Sequence, residues 1–124
     1  MTKSEQAART FFTALDAGDV SRAASLPAPD VSLRFGNDLV IVGRVDVSAQ
    51  LAELMSALTS LSHEVCTMWA HDDTVICEVK ITYERLDGSF LALPCVDIFR
   101  MSNDLIADYR AYLNITPLFT PAPL

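Results

Sequence analysis

The sequence predicts an α+β domain that is cone-shaped, with N-terminal helices packed in a curved, mostly antiparallel sheet. Apolar residues recur at helical spacing in the first half of the chain, and they alternate with polar residues in the second half. Helices followed by a run of neighbouring strands are typical of α+β proteins. The chain has 124 residues, of which 51% are hydrophobic, so it is predicted to be one domain over residues 1–124.

Three helices are predicted in the first half. Thr2 and Glu5 have the spacing of a capping box, and the helix that they start ends at Gly18. Asp19 is predicted to cap a short second helix. Asp46 is predicted to cap a third helix with one continuous apolar face, formed by Val47, Leu51, Leu54, Met55, Leu58 and Leu61.

Six strands are predicted around these helices. Short strands at 31–35 and 39–42 precede the third helix, and four longer strands follow it at 63–70, 74–84, 91–101 and 105–113. The segment 74–84 alternates apolar and polar residues throughout, which indicates a strand with one buried face. Residues 115–124 are rich in proline and are predicted to be a loose tail.

The charge and the cysteine content exclude several kinds of protein. The net charge is −7 and the basic residues are scattered, so we expect no nucleic-acid partner and no membrane partner. The polar N-terminus has no apolar signal region, which favours the cytoplasm. Three cysteines without a CxxC pair favour free buried thiols, and we expect no metal and no cofactor; the cysteines are Cys66, Cys77 and Cys95.

Six segments in this order resemble the nuclear transport factor 2-like superfamily, in particular its SnoaL-like and ketosteroid isomerase-like branch. They are FFTALDAGD, APDVSLRF, VGR, WAHDDTVICEVKITYERLDG, LPCVDIFRM and IADYRAYLNITPLF. The resemblance implies a cone-shaped fold and a homodimer. Its members include isomerases, cyclases, epoxide hydrolases, dehydratases and non-catalytic modules, so the fold alone does not select a function.

Asp97 is the main candidate for chemistry, since it is the one acid in the apolar stretch LALPCVDIFRM. The resemblance to ketosteroid isomerases, judged from the spacing after Gly88, places Asp97 at their oxyanion-hole acid. The tyrosine and the base of those enzymes fall on Phe11 and Phe35, so two of their three catalytic groups are missing. The resemblance therefore favours an Asp97 that lines the pocket. The structural alternative is an acid that faces solvent or pairs with Arg100 or Arg110.

The resemblance to limonene epoxide hydrolases is weaker at the site. Arg85 and Asp87 imitate their Arg-x-Asp pair, but they lie at a predicted hairpin turn, and the position of the last-strand aspartate falls on Ala111. Pro27 and Asn114 also depart from the family pattern, which fits either natural divergence or an engineered variant.

Two further residues are candidates for catalysis beside Asp97. Tyr109 is predicted to face inward on the last strand and to reach Asp97, and His63 is able to titrate near neutral pH. Each has a structural alternative, as a wall residue or a rim residue. The predicted pocket lining is mostly apolar: Phe11, Phe12, Leu15, Phe35, Leu54, Met55, Leu58, Trp69, Tyr83, Cys95, Phe99 and Ala111.

These residues favour an enzyme that binds a small apolar ligand and uses Asp97 for proton transfer or hydrogen-bond activation, in the manner of an isomerase, cyclase or epoxide hydrolase. The alternatives are a non-catalytic module for apolar ligands, a dimerisation module, or an engineered catalyst on such a scaffold. The predicted outer face of the sheet is apolar enough to pair with a second copy through Ile76, Phe90, Ala92, Val96 and Ile98.

Overall fold

The computed structural model describes residues 1–120 and confirms the α+β class. Three α-helices, six strands and a short 3₁₀ helix follow one another along the chain. In order they are α1 (Lys3–Asp16), α2 (Val20–Ser25), β1 (Ser32–Phe35), β2 (Ile41–Val42), α3 (Arg44–Ser56), β3 (Leu58–His71), β4 (Thr74–Arg85), β5 (Phe90–Ser102), β6 (Leu105–Tyr112) and the 3₁₀ helix Thr116–Phe119.

The six strands form one mixed sheet in the order β2-β1-β6-β5-β4-β3. All neighbouring pairs are antiparallel except β1 and β6, which are parallel. The long strands β4 and β5 alternate regularly between a face that packs on the helices and an outer face. The helices therefore lie on the concave side of the sheet, as the predicted cone requires.

The helix starts were predicted with one error. Thr2 and Glu5 form the capping box of α1, and Asp19 caps α2 by accepting a hydrogen bond from the Arg22 N–H. The third helix begins at Arg44, with Gly43 at the N-cap position, so Asp46 lies in the first turn and is not the cap. An acid there still interacts favourably with the positive end of the helix.

The third helix is also shorter than its apolar pattern suggests. It ends at Ser56, and β3 begins at Leu58, which pairs with Arg85 on β4. Leu58 and Leu61 are buried as strand residues. Apolar spacing continued across the helix–strand boundary, so periodicity could not locate it.

A β-bulge in β3 decides which of its side chains face inward. Val65 pairs with Val79, but Thr67 pairs with Glu78, so Cys66 is an extra residue opposite β4. One extra residue reverses the alternation of a strand. Cys66 is consequently exposed and is not a buried thiol as predicted, whereas Cys77 and Cys95 are buried.

The C-terminal segment is anchored to the β4–β5 hairpin. The guanidinium of Arg85 donates hydrogen bonds to the carbonyl oxygens of Pro117 (2.8 Å) and Leu118 (3.3 Å), and the Leu118 side chain is buried. This part of the predicted loose tail is thus folded against the domain. The remainder of that tail, residues 121–124, lies outside the described residues. No helix in the described part of the chain is both long and apolar enough to cross a bilayer.

Candidate active site

A cavity of about 190 Å³ opens between the inner face of the sheet, helix α3 and the C-terminal segment. Apolar side chains form most of its wall, and polar groups occur at a few places. The lining residues are Leu15, Phe35, Asp38, Gln50, Leu51, Glu53, Leu54, Ala57, Leu61, His63, Ile81, Tyr83, Tyr109, Ala111, Leu113, Ile115 and Phe119. The volume is below the roughly 300 Å³ at which drug-sized ligands begin to fit, so the cavity suits a smaller molecule.

Asp97 faces the interior of the protein and is fully buried. It lies opposite Cys77 on β4 and Ala111 on β6, and its neighbours along the inner face of β5 are Cys95 and Phe99. The sequence could not decide which face of β5 is internal, because both are apolar. Asp97 does not itself line the cavity, which differs from the prediction; it lies behind Tyr109.

One oxygen of Asp97 is well bonded and the other is not. The Tyr109 hydroxyl donates a hydrogen bond of 2.8 Å to Oδ1, and the Cys95 thiol donates a longer one of 3.5 Å to the same oxygen. Oδ2 is buried without a partner among residues 1–120. A buried carboxylate with one free oxygen is costly to ionise, since no water or donor replaces its lost hydration.

Burial raises the pKa of Asp97 to about 6, while the Tyr109 hydroxyl, His63 and the Cys95 thiol act in the opposite direction. A raised pKa is what the apolar residues on either side of Asp97 in the sequence predict. Asp97 therefore changes charge near neutral pH. The pKa of Tyr109 is raised well above its usual value, first by burial and then by the Asp97 charge, so its hydroxyl keeps its proton.

Tyr109 connects the buried acid to the cavity. Its ring stacks on Phe99 with centroids 4.7 Å apart and contacts Phe11 edge-on at 5.2 Å, which fixes the direction of the hydroxyl. When Asp97 is ionised, the hydroxyl donates to it. When Asp97 is neutral, the acid is able to donate to the Tyr109 oxygen instead, and the O–H group of Tyr109 is free to donate to another acceptor.

His63 is a second polar group in the cavity wall. Its side chain is only 4% exposed, and its ring stacks on Phe12 with centroids 4.6 Å apart. Its Nδ1 lies 2.6 Å from Oδ1 of Asp16, at the end of α1. The structure thus brings His63 and Tyr109 to one cavity and places Asp97 directly behind Tyr109.

The predicted lining residues divide into two groups. Five line the cavity: Leu15, Phe35, Leu54, Tyr83 and Ala111. The other seven lie elsewhere. Phe11, Phe12 and Phe99 form a buried aromatic layer beneath Tyr109 and His63, and Cys95 packs behind it beside Asp97.

The last three of those seven lie outside the inner cavity for local reasons. Met55 and Leu58 border a separate groove near the end of α1, and Leu58 does so because α3 ends before it. Trp69 is 53% exposed on the outer face, because the bulge at Cys66 reverses the alternation of β3 before that residue.

Other cavity residues were missed by the sequence. Gln50 and Leu54 lie at i and i+4 on α3, and Ala57 follows at its C-cap, so helical spacing from Leu54 could have indicated Gln50. Ile115 and Phe119 belong to the segment that was predicted to be loose, and Leu113 was predicted as the end of the last strand. Asp38 comes from the turn before β2, and its place at the cavity depends on how that turn packs.

The other charged residues considered earlier are structural. Arg85 holds the C-terminal segment, and Asp87 accepts hydrogen bonds from Ser89, so this pair does not reach the cavity. Arg100 and Arg110 pair with Asp108 on the outer face and not with Asp97. Within residues 1–120 there is no group of three or more His, Cys, Asp or Glu side chains arranged to hold a metal ion.

Solved structures with the same fold are numerous, at low sequence identity. An NTF2-like protein from Burkholderia pseudomallei superposes with a TM-score of 0.86 at 13% identity, covering 96% of each chain. A protein from Jannaschia that is assigned as a SnoaL-like polyketide cyclase gives 0.84 at 16% identity, over 98% of this chain and 94% of that one.

A third structure, an epoxide hydrolase of the LEH-like type from M. tuberculosis, gives a TM-score of 0.80 at 15% identity, over 94% of this chain and 86% of that one. No curated protein matches the sequence. Residues 8–109 match the SnoaL-like domain, which is most of the chain. The chain therefore belongs to the SnoaL-like family.

Proposed function

We propose that this protein is a small-molecule enzyme that activates a neutral apolar substrate through Tyr109 and Asp97. The observation that carries the proposal is the hydrogen bond of 2.8 Å from the hydroxyl of Tyr109, a residue of the cavity wall, to a fully buried carboxylate. When Asp97 is neutral, the Tyr109 hydroxyl is able to donate a hydrogen bond to a substrate oxygen. When Asp97 is ionised, the hydroxyl donates to Asp97, and its oxygen is able to accept a hydrogen bond from the substrate.

The cavity wall favours neutral ligands. No Lys or Arg occurs among its lining residues in the described part of the chain, and two of the polar ones, Asp38 and Glu53, are acids. Carboxylates and phosphates would meet repulsion there without a cation to offset it. The volume of about 190 Å³ favours one or two rings and disfavours a steroid-sized ligand.

We infer the reaction class from the polar groups of the cavity, with support from the structural neighbours. A hydrogen-bond donor on an apolar wall is suited to a carbonyl or an epoxide oxygen, where negative charge develops during reaction. The structural neighbours from Jannaschia and M. tuberculosis are named as a polyketide cyclase and an epoxide hydrolase, which supports an isomerase-, cyclase- or epoxide-hydrolase-like reaction here. The substrate itself we define only as neutral, small and apolar.

A thermal-shift screen followed by turnover assays tests the proposal. Monocyclic and bicyclic ketones and epoxides are expected to raise the melting temperature more than sugar phosphates or nucleotides do. For a ligand that is turned over, Tyr109→Phe and Asp97→Asn are expected to lower kcat/KM on the order of 10²- to 10⁴-fold, the usual contribution of one acid–base group.

The exposed acid Asp30 supplies the matched control, since Asp30→Asn makes the same chemical change outside the cavity. Stronger stabilisation by nucleotides than by any ketone or epoxide would contradict the proposed ligand class. Apolar ligands that bind equally to the parent protein and to both variants, with no turnover of any, would identify a non-catalytic binding module instead.

A further inference from the structure

We infer that Asp16 is a positioning residue that holds His63 as the general base of the cavity, with Nε2 as the accepting nitrogen. The inference deepens the proposed function, since it gives the cavity a proton acceptor in addition to the Tyr109 hydroxyl. It concerns a contact between residues 47 positions apart in the sequence.

The contact between Asp16 and His63 involves both the ring and the backbone. Nδ1 of His63 lies 2.6 Å from Oδ1 of Asp16, and the backbone N–H of His63 donates to both carboxylate oxygens at 3.1 Å. An ionised carboxylate only accepts hydrogen bonds, so Nδ1 carries the ring proton in this arrangement. Nε2 is then the nitrogen with a free lone pair.

The surroundings of the imidazole fix its direction. The His63 side chain is 4% exposed, and its ring is stacked on Phe12 at an interplanar angle of 24°. His63 is also a lining residue of the cavity, and Nε2 has no hydrogen-bond partner among residues 1–120. A base that is fixed by packing on one side and by a carboxylate on the other is arranged as general-base catalysis requires.

The placement of a donor and an acceptor in one cavity defines a substrate: a neutral carbonyl compound with a hydrogen on the neighbouring carbon. Nε2 takes that proton, the C–H electron pair forms a C=C bond, and the carbonyl pair moves to oxygen. The enolate oxygen accepts a hydrogen bond from Tyr109 when Asp97 is neutral. Nε2–H then returns the proton to the same or a conjugated carbon, so no other reactant is consumed.

Direct observation of the ring nitrogens tests the arrangement without any variant. In the ¹⁵N-labelled protein at alkaline pH, where a free imidazole is neutral, two-bond ¹H–¹⁵N correlations show which nitrogen of His63 is protonated. We expect the proton on Nδ1. A proton on Nε2 would overturn the inference, whether or not any substrate is known.

Exchange of carbon-bound hydrogen tests the base itself. The probe is cyclohex-3-enone in D₂O, and the measurement is deuterium incorporation beside the carbonyl by NMR. Asp16→Asn keeps the size and the backbone contact, but its amide is able to donate to Nδ1 and to shift the proton to Nε2. We expect exchange to fall on the order of 10²-fold in Asp16→Asn, to recover partly in Asp16→Glu, and to be unchanged in Asp30→Asn.

The outcomes separate this inference from the proposed function. Full exchange activity in a folded Asp16→Asn, with the parent tautomer retained, would overturn the positioning role while leaving Tyr109 and Asp97 untouched. No effect of Tyr109→Phe, with a large effect of Asp16→Asn, would contradict the Tyr109–Asp97 proposal and keep His63 as the base.

Discussion

The ionised side chain of Asp97 is energetically unfavourable in its buried position. A fully buried carboxylate with a free Oδ2 gains one strong hydrogen bond, from Tyr109, and loses its hydration. Residues with such environments occur preferentially where a proton has to be held or released. At the scale of single residues, the energetic cost of Asp97 can therefore be measured separately from any activity.

We expect Asp97→Asn to show this cost as a pH-dependent gain in stability. The pKa of Asp97 is about 6 in the folded protein against 3.8 for an ordinary aspartate, so the folded state binds the proton more tightly. Its contribution to stability is fully present below about pH 3.8 and is lost as the pH rises through 6, a loss of about 3 kcal/mol.

Since asparagine does not titrate, the free energy of unfolding of Asp97→Asn, relative to the parent protein, should increase by most of that amount between about pH 4 and about pH 7.5. Urea unfolding at both pH values measures it. Asp30→Asn serves as the control, with a much smaller change. A difference that stays constant, or that decreases with pH, would show that the carboxyl does not titrate near 6.

The sequence predicted part of the residue-scale arrangement. The inward position of Tyr109 and its reach to Asp97 followed from two-residue alternation on neighbouring strands, and the structure contains that hydrogen bond. The contact of Asp16 with His63 could not be predicted. It depends on how the end of α1 packs against β3, and no local pattern in either segment predicts the distance between Asp16 and His63.

At the scale of secondary-structure elements, boundaries and bulges were the parts that the sequence could not supply. The β-bulge at Cys66 has no glycine or proline to mark it, yet it moves Trp69 from the predicted pocket to the outer face. The boundary between α3 and β3 was hidden by apolar residues that suit both elements. The capping box at Thr2 was predicted correctly, because capping depends only on nearby side chains.

Arg85 offers a test of how the C-terminal segment is held. We expect Arg85→Ala to free residues 113–120, because the variant loses two hydrogen bonds to backbone carbonyls and one to the Ser89 hydroxyl. Amide hydrogen exchange should accelerate in that segment and in few other places, with a stability loss of about 1–3 kcal/mol.

Arg22→Ala, on the exposed surface of α2, is the matched control for the loss of an arginine. Since Leu113, Ile115 and Phe119 line the cavity, ligand affinity should weaken in Arg85→Ala and remain normal in Arg22→Ala. Unchanged exchange in residues 113–120 would mean that burial of Leu118 alone holds the segment.

At the scale of the whole molecule, the outer sheet face suggests association. Exposed apolar side chains continue across neighbouring strands there, at Trp69 on β3, Phe90 and Val96 on β5, and Tyr112 on β6. Ile76 and Ile98 are half-buried and lie side by side in register between them. A contiguous apolar area of this kind is characteristic of an interface.

We propose that two copies pair through this face as a two-fold dimer. Val96→Glu places a charge near the centre of the face and is expected to shift the protein to a monomer in sedimentation equilibrium at tens of micromolar, a range in which specific interfaces remain occupied. Leu86→Glu, at the exposed β4–β5 turn, introduces the same charge away from the face and should leave the dimer intact. A monomeric parent protein at that concentration would refute the dimer.

The fold itself was predicted as a whole, including its class and the order of all six strands and three helices along the chain. The spacing of apolar residues belongs to each helix or strand separately, so it can be read directly from the sequence. The cavity is a property of several elements at once, and its volume and rim depend on packing that periodicity does not describe. This is why five predicted lining residues are in place and seven are not.

The cavity is built from two separable sets of residues, and that division affects how the protein can be diversified. The proposed proton-handling groups His63, Asp97 and Tyr109 lie on the long strands β3, β5 and β6, whereas apolar wall comes from α3 and the C-terminal segment through Leu54, Leu113, Ile115 and Phe119. Libraries restricted to those four positions would vary ligand preference while leaving the proton-handling groups unaltered. Selection for a new substrate on this scaffold can then proceed by small steps, each of which keeps the existing chemistry.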